Sequence, residues 1–120
     1  INVDEEKSLS FTAFVGMPPK DKAQKYFAFS IEKARRLRAS PDDESSFQSR
    51  NPDKNKWGGA IRSEPIIISV SGFPEHWDEA VALVMAVRGS SMRAARARSI
   101  AAHSKNPHFE SLLESLPQLR

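Results

Sequence analysis

The sequence contains no cysteine, and this absence removes several kinds of chemistry at once. Disulfide bonds, thiolate catalysis and cysteine metal sites are all excluded. A reducing cytoplasm fits such a chain best.

Long apolar runs and familiar catalytic motifs are also missing. No apolar run approaches the ~20 residues that span a bilayer, and Asp4-Glu5-Glu6-Lys7 stands where a signal peptide would carry its apolar segment. We therefore expect a cytoplasmic protein with no membrane partner. The motifs G-x-S-x-G, H-E-x-x-H, G-x-G-x-x-G and the Walker loop are absent. Because no nucleophile, base and orienting group can be assembled from the sequence, we expect a binding protein rather than an enzyme.

Positive charge is concentrated in two segments, although the net charge is only +3. Residues 20–38 are strongly basic, and residues 88–105 contain no acidic residue. Arg93, Arg96 and Arg98 in the second segment suggest nucleic-acid binding as an alternative function. Solvated helix faces explain such clusters more often, so we do not favour nucleic acid as the partner.

The clearest structural signal lies in residues 65–80 of this 120-residue chain. The apolar residues Ile66 to Ile68 predict a buried strand. Gly72 permits a sharp backbone bend, and Pro74 suits the first turn of a helix. The helix is predicted to end at Gly89, and Asp78 with Glu79 is explained by the favourable field near its N-terminus.

The other segments predict further strands and helices around this unit. They are a strand over 9–15, a helix from Asp21 to Ser40-Pro41, a polar loop over 40–56, a strand over 60–62, a helix from Met92 to about His103, and a short helix after Asn106-Pro107. The first eight residues are polar, and we expect them to be loose. The length fits one domain, with a core over 1–88 and a C-terminal helical extension over 89–120.

The order of several short motifs resembles the GlcG/HbpS-like family of haem-binding or haem-degrading domains. The motifs are Lys33-Ala34, Gly58-Gly59, Val70-Ser71-Gly72, Pro74 and Asp78-Glu79-Ala80. They cover roughly residues 9–88 in the family's order. The resemblance implies an α/β fold of the α+β type, in which a profilin-like antiparallel sheet is packed with helices. The helices after residue 88 are additional.

The resemblance also implies a partner. The family's N-terminal helix and first strand have no counterpart here, which would leave a sheet edge unpaired. Such an edge invites pairing with another chain or cover by the C-terminal helices, and on this ground we expect a homo-oligomer.

The function implied by the resemblance is binding of a small ligand, with haem or a related tetrapyrrole as the cofactor to test. The expected ligand-binding residues gather at the hairpin and the helix start: Gly58, Gly59, Ser71, Gly72, Phe73, His76, Trp77 and Asp78. His76 is the candidate axial ligand of a haem iron. The alternative to a ligand-binding protein is an oligomeric structural or partner-binding protein that needs no pocket.

Overall fold

The computed structural model describes residues 2–5, 10–12 and 20–116. The strands are β1 (Asn2–Glu5), β2 (Ser10–Thr12), β3 (Ala60–Ser63) and β4 (Ile66–Ser69). The helices are α1 (Lys20–Arg38), α2 (Glu75–Arg88), α3 (Ala94–His103) and α4 (Phe109–Ser115). The predicted combination of an antiparallel sheet with helices packed against it is confirmed. The closer likeness to profilin stays a prediction.

The four strands form one antiparallel sheet in the order β2-β1-β4-β3. Our expectation that the first eight residues are loose was wrong for residues 2–5, because β1 lies between β2 and β4 in the sheet. A polar segment can form this strand because strand pairing uses backbone groups, and those of β4 need hydrogen-bond partners on both sides. The strand predicted over 9–15 is described only at Ser10–Thr12, and its remaining residues lie outside the described part of the chain.

This arrangement changes the argument for an oligomer. We expected a missing first strand to leave the sheet edge bare, but β4 has a strand on each side. The outer edge of β3 is met by the polar loop, since Ser45 forms a bridge with Ile61 and the Arg62 N–H donates to the Glu44 carbonyl at 2.8 Å. β2 is the other edge strand, and the homo-oligomer remains a prediction.

The sheet is buried on both faces where β3 and β4 run. Ala60 and Ile67 pack with Ala34 and Leu37 of α1. The alternate residues Ile61 and Ile68 belong to the larger core that α2, α3 and α4 share. Successive side chains of a strand point to opposite faces, so the continuous apolar run of β4 follows from having helices on both sides.

The C-terminal helices follow the sequence with small differences at their ends. α2 ends at Arg88 with Gly89 as the cap, as predicted. α3 begins at Ala94 rather than Met92. α4 begins at Phe109, and the Asn106 side chain accepts a hydrogen bond from the His108 N–H at 3.0 Å instead of occupying the cap position. No helix in the described ranges is long and apolar enough to cross a membrane.

The polar loop over 40–56 is organised by short 3₁₀ turns. They span Ser46–Ser49 and Pro52–Lys54. Ser45 and Gln48 form a reciprocal capping box at the first turn, which satisfies backbone donors that would otherwise lack partners. The loop lies against α1 and β3, and its residue Asn55 lines the cleft described next.

Candidate functional site

A cleft of about 250 Å³ opens between α1 and the turn that joins β4 to α2. Its aromatic wall consists of Tyr26, Phe29, Trp57 and Phe73. Its polar lining includes Lys25, Lys33, Asn55, Ser71, Glu75 and Asp78. Mostly apolar walls with a few placed polar groups are typical of small-molecule sites.

A buried ion pair between Lys33 and Asp78 lies beside this cleft. The Lys33 ammonium donates to the Asp78 carboxylate at 3.1 Å and to the Val70 carbonyl at 2.6 Å. The two side chains are 3% and 4% exposed. The other Asp78 oxygen accepts the Phe73 N–H at 3.0 Å. The pair therefore joins the middle of α1 to the turn before α2.

Burial acts on both members of this pair in the direction that disfavours charge. It lowers the pKa of the Lys33 amine below its ordinary 10.5, although the neighbouring Asp78 carboxylate opposes the shift. Burial also raises the pKa of the Asp78 carboxyl to about 6, against the opposing attraction of Lys33. For each group, the free-energy cost of removing its charge from water exceeds the stabilisation that its one charged partner provides.

Gly59 provides the space for the Lys33 amine. Its φ of +128° is in the region that favours glycine. A Cβ at this position would lie 2.6 Å from the Val70 carbonyl oxygen, 2.7 Å from the Lys33 amine nitrogen and 2.8 Å from the Asp78 Cβ. Gly59 is thus required by the buried pair and does not itself line the cleft.

Two residues that line the cleft each have a buried side-chain oxygen that lacks a partner within the described residues. They are the Ser71 hydroxyl and the Oε2 atom of Glu75. The second Glu75 oxygen accepts a hydrogen bond from Arg50. Leaving such a group unpaired costs about 1–3 kcal/mol, so a bound molecule that pairs with these atoms would be favoured.

Glu79 lies on another side of α2 and is completely buried. Its carboxylate accepts hydrogen bonds from the hydroxyls of Ser45 and Ser104, the latter at 2.7 Å. The Asn106 amide donates to it at 3.0 Å. We explained Asp78 and Glu79 by the field of the helix alone, and this was incomplete, because both carboxylates are buried against specific partners.

The expected site residues fall into separate places. Ser71, Gly72, Phe73 and Asp78 line the cleft. Gly59 supports the ion pair behind it, and Gly58 packs closely against Phe47. His76 and Trp77 are not among the residues that line the cleft, and they interact with other parts of the chain.

His76 is held by neighbouring groups in this structure. Its Nε2 atom lies 3.0 Å from the Ser104 carbonyl oxygen, and its ring stacks on Phe47 with centroids 4.8 Å apart. Trp77 stacks on His108 at 3.9 Å. These contacts give His76 a structural role, because the Nε2 atom that would ligate a haem iron already faces the Ser104 carbonyl. The described residues contain no group of three or more His, Cys, Asp or Glu side chains able to hold a metal ion.

The arginines of the nucleic-acid alternative are partly occupied by carboxylates. Arg96 lies 3.7 Å from Glu44, and Arg98 lies 2.5 Å from Glu110. Arg93 is exposed at the start of α3. Phosphate contacts through Arg96 and Arg98 would have to compete with these ion pairs, so the surface does not strengthen the alternative.

Lys33 and Glu75 line the cleft, and reasoning from the sequence did not include them in the site. Lys33 was noted only as half of a Lys-Ala pair. A signal was present, because Lys33 shares a helix face with Ser30 and Leu37, four or fewer residues away. All three are buried.

Comparisons with known protein families, with curated proteins and with solved structures found no match to this chain. The resemblance to the GlcG/HbpS-like family therefore stays a prediction. Any functional conclusion has to come from the site itself.

Proposed function

We propose that the protein binds a small, largely apolar ligand in the cleft beside Lys33 and Asp78. The observation that carries the proposal is the pair of buried, unpartnered oxygens of Ser71 and Glu75 in an aromatic-walled cleft. The ligand would place a flat apolar part against the rings and donate a hydrogen bond to Glu75. A ligand with a hydroxyl or amino group on an aromatic ring has this chemistry.

The size of the cleft favours a ligand smaller than a tetrapyrrole. Drug-sized ligands occupy pockets of about 300–1,000 Å³, and this cleft of about 250 Å³ lies just below that range. The residues that line the cleft also include no histidine that could ligate a haem iron. We therefore propose a small aromatic ligand in place of the haem implied by the family resemblance.

The positions of the two tryptophans make the proposal testable by fluorescence. Trp57 lines the cleft and Trp77 does not, so a Trp77→Phe variant reports on the cleft alone. Titration with phenols and anilines should give a saturable change in Trp57 emission. Glu75→Gln should weaken binding about tenfold, because a hydrogen bond to a charged group contributes about 1.5–3 kcal/mol.

Matched controls separate the cleft from the surface. Glu110→Gln changes an exposed carboxylate that pairs with Arg98 outside the cleft, and it should leave the affinity unchanged. A haemin titration followed in the Soret region, on wild type and His76→Ala, should show no saturable change. The proposal is wrong if no phenol or aniline gives a saturable change in Trp57 emission. It is also wrong if haemin binds and His76→Ala abolishes that binding.

A further inference from the structure

We propose that Lys33 is a nucleophilic amine that forms an imine with a small aromatic aldehyde or ketone bound in the cleft. This inference rests on the proposed function, since the carbonyl compound is the ligand of the same cleft. It assigns a covalent chemistry to a chain whose sequence suggested binding alone.

The geometry around Lys33 supplies the groups that such chemistry needs. Lys33 is among the residues that line the cleft, and its buried amine lies 3.1 Å from the Asp78 carboxylate, which is a proton acceptor. The Val70 carbonyl holds the amine from another direction at 2.6 Å, and the Phe73 N–H fixes the carboxylate at 3.0 Å. A nucleophile, a base and the groups that orient them are therefore in hydrogen-bond contact.

The surroundings also favour the reactive form of the amine. Only a neutral amine attacks a carbonyl carbon, and burial lowers the pKa of Lys33 below its ordinary value. Lysines that are desolvated in apolar pockets are activated in this way. Burial raises the pKa of Asp78 to about 6, which makes that carboxyl a better proton acceptor than an exposed one.

The reaction balances with these two side chains and the carbonyl compound. A proton moves from the Lys33 ammonium to Asp78, and the free electron pair on nitrogen forms a bond to the carbonyl carbon. The π electrons move to oxygen, which takes a proton from nitrogen to give a carbinolamine. The carbon–oxygen bond then breaks, water leaves with the second amine proton, and the C=N bond remains.

Ser71 completes the site on the oxygen side. Its buried hydroxyl has no partner within the described residues. Ser71 and Lys33 line the same cleft. It would donate a hydrogen bond to the carbonyl oxygen as negative charge develops there. The aromatic wall would limit the access of water and slow hydrolysis of the imine.

Lys25 provides a matched comparison within the same cleft. It also lines the cleft, but it is exposed and lies over the Phe29 ring at 5.6 Å from the centroid. Its amine has no buried carboxylate beside it among the contacts described. A probe that enters the cleft therefore meets two lysines with different surroundings.

The test uses wild-type protein and salicylaldehyde, an aromatic aldehyde with a hydroxyl donor. Imines are trapped with borohydride near neutral pH, and modified lysines are located by peptide mass spectrometry. Burial lowers the pKa of the Lys33 amine, which raises the fraction of that amine that is neutral and able to attack. We expect initial labelling of Lys33 to be faster than that of Lys25. Equal labelling of the two lysines would overturn the proposal.

Salicyl alcohol separates a failure of this chemistry from a failure of binding, because it lacks the carbonyl. We expect it to saturate the Trp57 signal and to protect Lys33 from salicylaldehyde. Saturable binding without labelling of Lys33 overturns the imine and leaves the proposed function standing. No binding and no labelling overturns both. Lys33→Met should lose the adduct. If this variant does not fold, the labelling of Lys33 against that of Lys25 in the wild-type protein tests the imine.

Discussion

Asp78 and Glu79 are neighbours in the sequence, and both are buried, yet their surroundings differ in kind. Asp78 meets a cation, Lys33, and lies beside the cleft. Glu79 meets the hydroxyls of Ser45 and Ser104 and the amide of Asn106, all of them neutral donors. Adjacent residues on a helix point about 100° apart, so α2 presents one carboxylate to each region.

The difference separates a structural role from a chemical one. The donors to Glu79 come from the polar loop and from the segment between α3 and α4, so this carboxylate joins parts of the chain that are far apart in sequence. Asp78 and Lys33 form one contact between α1 and α2, beside open space that a ligand can enter. We infer that Glu79 stabilises the fold and that Asp78 takes part in the chemistry of the cleft.

The largest expected effect comes from removing the structural carboxylate. Glu79→Ala would leave the buried hydroxyls of Ser45 and Ser104 without their acceptor, and each unsatisfied group costs about 1–3 kcal/mol. We expect a loss of about 4 kcal/mol in the free energy of unfolding, measured by urea denaturation. Glu110→Ala, at an exposed ion pair, should cost less than about 1 kcal/mol. Similar losses in both variants would break the comparison.

The second prediction concerns pH and the cleft carboxylate. The pKa of Asp78 is raised from 3.8 to about 6, so the folded state holds this proton more tightly than the unfolded chain. The stability contributed by Asp78 is complete below pH 3.8 and is lost as pH rises through about 6. This shift corresponds to about 3 kcal/mol.

Asp78→Asn removes that titration, because asparagine does not ionise, and it also removes the charge that opposes the fall in the Lys33 pKa. The unfolding free energy of wild type minus that of Asp78→Asn should fall as pH rises from about 4 to about 7. Urea denaturation across this range measures the difference. A difference that stays constant with pH would contradict the raised pKa of Asp78 and leave this carboxylate a purely structural role.

The smallest expected effect tests the space around the Lys33 amine with two glycines. Gly59 and Gly72 have similar φ values, +128° and +133°, so alanine is strained at both positions. A Cβ on Gly72 would lie 3.9 Å from its nearest neighbour, Tyr26. Gly59→Ala should therefore cost about 1–2 kcal/mol more than Gly72→Ala, on top of about 1–3 kcal/mol that both share. Equal costs would mean that the buried pair tolerates displacement.

The sequence predicted those parts of the fold that depend on local patterns. The apolar run before Gly72 and the helix between Pro74 and Gly89 were confirmed, because strand and helix signals there are strong and uninterrupted. β1 was missed because its residues are polar and its strand exists through pairing with β4. Pairing partners far apart in sequence leave no local signal.

The candidate site was predicted only in part for a related reason. Ser71, Gly72, Phe73 and Asp78 share one short segment, and the cleft does include them. Lys33 lies 45 residues before Asp78, and a lysine is seldom buried unless it is paired. Nothing local in α1 indicates which carboxylate would pair with it.

Arg36 has a consequence for how fast a ligand would bind. Its guanidinium donates to the carbonyls of Trp57 and Ser46 and to the Ser49 hydroxyl, so the backbone of this part of the loop is fixed to α1. Ordering a loop on binding lowers the affinity, and here the backbone at Trp57 is already held by folding. Association should therefore follow a single fast phase that is linear in ligand concentration, without a slow step for closing the loop.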